Sequence, residues 1–132
     1  MSIKTIETFN DSTERSLTSK QSGSLIFIDT GSADVTVNLP PPKAGVHYEF
    51  VISHTSTNSN NFTLKSVNSS YVHTSLMYAG RLGSTVGKTI TVDSSAQTNL
   101  SDRIIVNSNG TNWFVSLLIS TAANYSLTTD GA

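Results

Sequence analysis

The sequence predicts an all-β domain: a β-sandwich or jelly-roll-like barrel of about eight short antiparallel strands, preceded by an extended N-terminal arm. Three observations predict it. Thr, Val and Ile are abundant while strong helix formers are sparse. Short apolar runs recur about every ten residues between clusters of Gly, Asn and Asp, and no segment sustains a helical period. The 132 residues suffice for one domain, which divides into an arm at 1–22, a β domain at 23–120 and a tail at 121–132.

In the arm, only Ile3, Ile6, Phe9 and Leu17 are sizeable apolar side chains among polar neighbours. They are too few for a core, so the segment reads as an arm, either simply disordered or ordered only when it lies on another subunit; Ile3, Ile6 and Phe9 also fit one side of a short helix. The unbroken run Leu25-Ile26-Phe27-Ile28 predicts a strand buried on both faces. Val35, Val37 and Leu39 alternate with Thr36 and Asn38, and Pro40-Pro41-Pro42 ends that strand because proline cannot donate to a ladder. Between them Asp29–Asp34 reads as a hairpin connection, with Asp29 closing an Asx turn and Gly31 supplying positive φ.

Tyr48, Phe50 and Ile52 alternate with His47, Glu49, Val51 and Ser53, as in a strand with one strongly buried face. After the polar stretch 55–61, Phe62, Leu64 and Val67 suggest a short strand. Tyr71–Gly87, with glycines at 80, 83 and 87, reads as a long irregular connection before Lys88–Val92 resumes the sheet. Arg103–Val106 and Asn112–Ser120 then form a hairpin around a turn at Asn107–Gly110. Trp113, Val115, Leu117 and Ile119 share one face of its second strand; Phe114 and Leu118 occupy the other. A strand apolar on both sides is central or is covered by a partner subunit. In the tail, Tyr125 and Leu127 are docking points.

Composition excludes several functions. Eight Lys+Arg against nine Asp+Glu lack the basic excess of a phosphate-binding protein, so no nucleic-acid partner is expected. No stretch approaches the roughly 18–20 apolar residues of a membrane span, and no membrane partner is expected. The absence of Cys removes disulfides, thiolate metal sites and cysteine nucleophiles. The first residues lack the apolar block of a secretory signal. Asn-x-Ser/Thr triplets at Asn10, Asn61, Asn68, Asn99, Asn109 and Asn124 reflect a chain in which Ser, Thr and Asn make up 51 residues.

No metal or cofactor is expected. His47 and His54, an odd number of residues apart on one predicted strand, face opposite ways, and His73 is isolated. Each reads as a strand-surface or interface side chain. Asp29 with Asp34, or Asp93 with Asp102, lacks the regular spacing of a calcium loop. No Gly-x-Ser-x-Gly elbow or phosphate loop is present.

The segment Leu25-Ile26-Phe27-Ile28-Asp29-Thr30-Gly31-Ser32-Ala33 resembles the signature of aspartic proteases. A chain with one such aspartate would have to dimerise as retropepsins do, with Asp29 catalytic. Arg103-Ile104-Ile105-Val106-Asn107 lacks the glycine that family requires after its later apolar pair, and the turn reading explains Asp29 without it. A sugar-stacking platform drawn from Tyr48, Tyr71, Tyr78 and Trp113 is another alternative. With Trp113 in the strongest apolar alternation, that reading rests on Tyr71 and Tyr78, as in the carbohydrate- or receptor-binding module of a tail fibre or spike.

Two longer segments carry a further resemblance. Ser22-Gly23-Ser24-Leu25-Ile26-Phe27-Ile28-Asp29-Thr30, then Val35-Thr36-Val37-Asn38-Leu39-Pro40 and Ala44-Gly45-Val46-His47-Tyr48-Glu49-Phe50, is similar to a pattern in virion proteins of tailed phages and other large DNA viruses. These are capsid decoration, minor capsid and tail-fibre proteins. Asp102-Arg103-Ile104-Ile105-Val106-Asn107-Ser108-Asn109-Gly110-Thr111-Asn112-Trp113-Phe114-Val115 resembles their closing hairpin. The resemblance implies a non-enzymatic virion protein that decorates or cements a capsid in many copies. Its partners would be the major capsid protein or other virion proteins and its own copies, with a trimer expected. Apolar side chains left over after the core is filled nominate Ile3, Ile6, Phe9, Phe114 and Leu118 as its contacts.

Overall fold

The structure, a computed structural model, describes residues 3–54, 60–66, 72–78, 81–87, 89–93, 101–119 and 125–128. These form two mixed sheets. In spatial order the seven-stranded sheet holds β1 (Ile6–Phe9), β3 (Ser24–Ile28), β5 (His47–Ile52), β10 (Arg103–Ser108), β11 (Trp113–Leu118), β7 (Val72–Tyr78) and β8 (Arg81–Gly87). The five-stranded sheet holds β12 (Tyr125–Thr128), β9 (Thr89–Asp93), β6 (Asn61–Ser66), β4 (Val35–Leu39) and β2 (Arg15–Ser16). Both sheets are open, and among the described residues the only helical segment is one 3-10 turn at Ser19–Gln21. The all-β class is as expected; the strands are more numerous than the eight expected and are not uniformly antiparallel.

The first six strands alternate between the sheets. β1, β3 and β5 run parallel in one, and β2, β4 and β6 run parallel in the other. Parallel neighbours need a connection that leaves the sheet and returns, and crossing to the other sheet supplies it. Strands β1 to β6 therefore wind as three stacked rungs, with Phe9 over Ile28 over Ile52, Ile26 over Phe50, and Val35 over Phe62. Asp29–Asp34 is thus a crossover between sheets, not a hairpin. The later strands then pair antiparallel with the third rung, β10 on β5 and β9 on β6.

Further expectations change. Residues 3–22 are not a free arm, and Ile6 and Phe9 lie on a strand, not a helix: the segment supplies an edge strand to each sheet and buries Phe9 and Leu17. Tyr71–Gly87 is not an irregular connection, since β7 and β8 pair antiparallel from Val72↔Gly87 to Tyr78↔Arg81. Residues 125–128 are not tail but the strand flanking β9. The β10–β11 turn lies two residues later than expected, at 109–112, where Asn109 Oδ1 accepts the Thr111 and Asn112 amides at 2.9 and 3.0 Å and Gly110 takes φ +98°. Among the described glycines, positive φ falls at Gly23, Gly45 and Gly110, not at Gly31.

One core joins the sheets. Phe50 meets Phe62 across the gap at 5.7 Å between ring centroids, and Tyr48 packs 5.9 Å from Trp113. Each large side chain so withdrawn from water contributes about 1.5–3 kcal/mol before entropy is counted. The polar atoms of the two largest are paired: Trp113 Nε1 donates to Pro40 O at 3.0 Å and Tyr48 Oη to Thr18 O at 2.7 Å. At the open end of the rungs the Arg15 guanidinium covers the Phe9 ring at 4.5 Å and is held by Asp11. A two-residue β2 flanked by charge blunts that edge against further pairing.

Candidate functional site

Among the described residues, the outward side of the seven-stranded sheet gathers most of the exposed large apolar side chains. Successive residues of a strand point to opposite faces, so the positions between the buried ones form continuous rows across neighbouring strands. One row runs Thr8, Phe27, Val51, Arg103, Leu118; the next runs Ile6, Leu25, Glu49, Ile105, Ser116. His47, Asn107 and Phe114 begin a third. Ile6 is 68% exposed, Phe114 42% and Leu118 44%; Leu25, Phe27 and Ile105 are half-buried. Ile3, also exposed, precedes β1 at the same border.

In the middle of this apolar field lies one ion pair, Arg103 to Glu49, on adjacent strands and in adjacent rows. Val51, beside Arg103, is buried although it faces outward. Among the described residues, the centre of the face therefore carries one positive and one negative charge side by side, ringed by aliphatic and aromatic carbon, with Lys4 and His47 farther out beside Gly23.

Of the five residues expected to make contacts, Ile6, Phe114 and Leu118 are brought onto this face and Ile3 to its border. Phe9 is a correction: the pleat turns it inward, where it is 4% exposed and ends the Ile28–Ile52 stack. Alternation within β11 identified Phe114 and Leu118. Leu25, Phe27 and Ile105 were missed as members of the patch, because only the sheet order puts those strands beside one another.

The other candidates are dispersed. Asp29 lies in the β3–β4 crossover, where its Oδ1 accepts the Gly31 amide at 2.9 Å, the Asx turn read from the sequence. Asp34 Oδ1 accepts the Asn61 amide at 2.7 Å. Both carboxylates thus hold loop backbone, and no metal-ligand cluster occurs among the described residues. Tyr48 and Trp113 are fully buried and offer no stacking surface. Burial pushes the Tyr48 phenol from 10.0 up to about 12. Tyr71 lies outside the described residues; Tyr78 ends β7 opposite Arg81. His47 contacts Gly45 O and Ser22 Oγ through Nδ1, at 3.1 and 3.4 Å. His54, expected at a surface or interface, lies beyond the end of β5 and is fully buried.

A groove of about 610 Å³ runs between Ser16–Ser19 and Asn38–Lys43, floored by Leu17 and Leu39 and walled by Pro40, Pro41 and Pro42. Its single titratable lining residue is Lys43, so it holds no acid–base pair. Sequence reading treated these prolines only as a strand stop; the groove arises because parallel pairing of β2 with β4 brings the two segments together. No protein-family model, curated protein or solved structure matches the chain.

Proposed function

We propose that the two sheets form a β-sandwich that serves as a non-enzymatic structural module of a virion, decorating or cementing a capsid through repeated protein contacts. The observation that carries the reading is the outer face of the seven-stranded sheet, where Ile6, Phe114 and Leu118 stand in water beside half-buried Leu25, Phe27 and Ile105. Contiguous apolar surface of this kind on one side of a sheet marks a contact surface. The similarity of the segments 22–50 and 102–115 to virion proteins supports the particle context, and the low charge suits copies set close together.

Quantitative mass spectrometry of purified particles of the encoding virus tests it. The expected result is the chain at a fixed ratio to the major capsid protein, and re-addition of the purified chain to depleted particles at the same ratio. Absence from particles overturns the reading. So does pepstatin-sensitive cleavage abolished by Asp29→Asn, or glycan binding lost on Tyr71→Ala or Tyr78→Ala.

A further inference from the structure

The charge pattern at the centre of the apolar face specifies what covers it. Glu49 and Arg103 occupy diagonal positions, Glu49 beside Ile105 and Arg103 beside Val51. A twofold axis lying in the plane of the face and running along the Val51–Ile105 diagonal exchanges the two charged positions. Under that operation Glu49 of one copy lies over Arg103 of the other, and the two internal ion pairs become a quartet of alternating sign. The apolar surround, with Leu25 and Phe27 on one side and Leu118 and Phe114 on the other, then meets apolar surface. A partner of uniformly acidic or basic surface would leave one of the two charges against its like, at a cost that opposes docking.

Dimensions agree with this occupant. Seven strands at about 4.8 Å spacing give a face about 29 Å wide, and strands of this length make it about 17–20 Å deep, on the order of 500 Å² per copy. That is the low end of specific interfaces, as expected of a module that pairs reversibly. From these features we infer that a second copy of this chain seats face to face on the seven-stranded sheet, related by a twofold axis between Glu49 and Arg103. The inference deepens the proposed structural role, and it makes a dimer, not the expected trimer, the unit of assembly. Because this axis runs diagonally to the strands, the strands of the two copies cross steeply, nearer the orthogonal class of sheet packing, with the sheets about 10 Å apart.

Sedimentation equilibrium of the purified full chain, without particles, is the test. The wild type is expected to dimerise in the micromolar range. Glu49→Arg and Arg103→Glu each place like charges at both contacts of the quartet and are expected to weaken self-association by at least about tenfold. Mixed in equal amounts, these two variants regain complementary charges and are expected to form a heterodimer at wild-type strength. The double variant carrying both changes is expected to dimerise again. Circular dichroism of each variant establishes folding independently. A wild type monomeric at its highest soluble concentration overturns the inference, as does an odd-numbered oligomer or a mixture that stays monomeric. A monomeric chain still found in particles refutes this pairing alone, whereas a dimer absent from particles refutes the virion role alone.

Discussion

Replacing Phe9 by Ala separates two pictures of the N-terminal residues. Were residues 1–22 a detachable arm, the change would leave the folded domain untouched. In the structure Phe9 is buried, stacked in register on Ile28 and Ile52, and covered by the Arg15 guanidinium at 4.5 Å. Phe→Ala in a packed core costs about 3–5 kcal/mol. Phe9 has a rung on one side only, which argues for the lower figure, and about 0.5–1 kcal/mol of that is the lost cation–π contact. The expected loss is therefore about 3 kcal/mol, or about 10 °C in melting temperature for a chain of this size. Urea unfolding followed by fluorescence of Trp113, the chain's one tryptophan, reads it directly. Ile6→Ala, at an exposed position of the same strand, is the control and should stay within about 0.5 kcal/mol. A loss at Phe9 below about 1 kcal/mol, or no larger than the control, would refute the three-rung packing.

Other expectations follow from single contacts. With the Tyr48 phenol raised from 10.0 to about 12, the folded state disfavours the phenolate. Its contribution is therefore complete below pH 10 and lost as pH climbs from 10 towards 12, by up to about 2–3 kcal/mol. Tyr48→Phe should remove that alkaline loss while costing about 1 kcal/mol at neutral pH for the unpaired Thr18 carbonyl; an unchanged alkaline midpoint contradicts it. Trp113→Phe, which deletes the donor to Pro40 O and leaves a void, should cost about 2 kcal/mol in thermal unfolding. Asp29→Asn keeps an oxygen for the Gly31 amide and should be neutral within about 0.5 kcal/mol, whereas Asp29→Ala should cost about 1 kcal/mol.

What was legible in the sequence was local. Period-two alternation at 35–39, 48–52 and 113–119 marked both the strands and their inward faces, and Phe114 and Leu118 stood out as the side chains that the same alternation turns outward. Pairing was not legible. Nothing in Leu25–Ile28 or Val35–Leu39 tells that consecutive strands lie in different sheets, because parallel partners are about twenty or more residues apart and selected by the stacked core. Ile3, Ile6, Phe9 and Leu17 are too few for a core of their own. Two of them bury nonetheless, against a core that rungs two and three have already built. Gly83 and Gly87 read as breakers but lie in β8, where ladder pairing with β7 overrides a weak local preference.

Ile105 lies where a second copy would cover the outer face of the seven-stranded sheet. Because the chain has no cysteine, Ile105→Cys places a single thiol beside the inferred axis, and sheets packed about 10 Å apart bring two such thiols within reach of a short bifunctional reagent. The measurement is the rate of cross-linked dimer formation at micromolar protein, against Thr13→Cys in the exposed loop between β1 and β2. Face-to-face pairing gives rapid cross-linking at residue 105 and little at 13; equal rates at the two positions would contradict it.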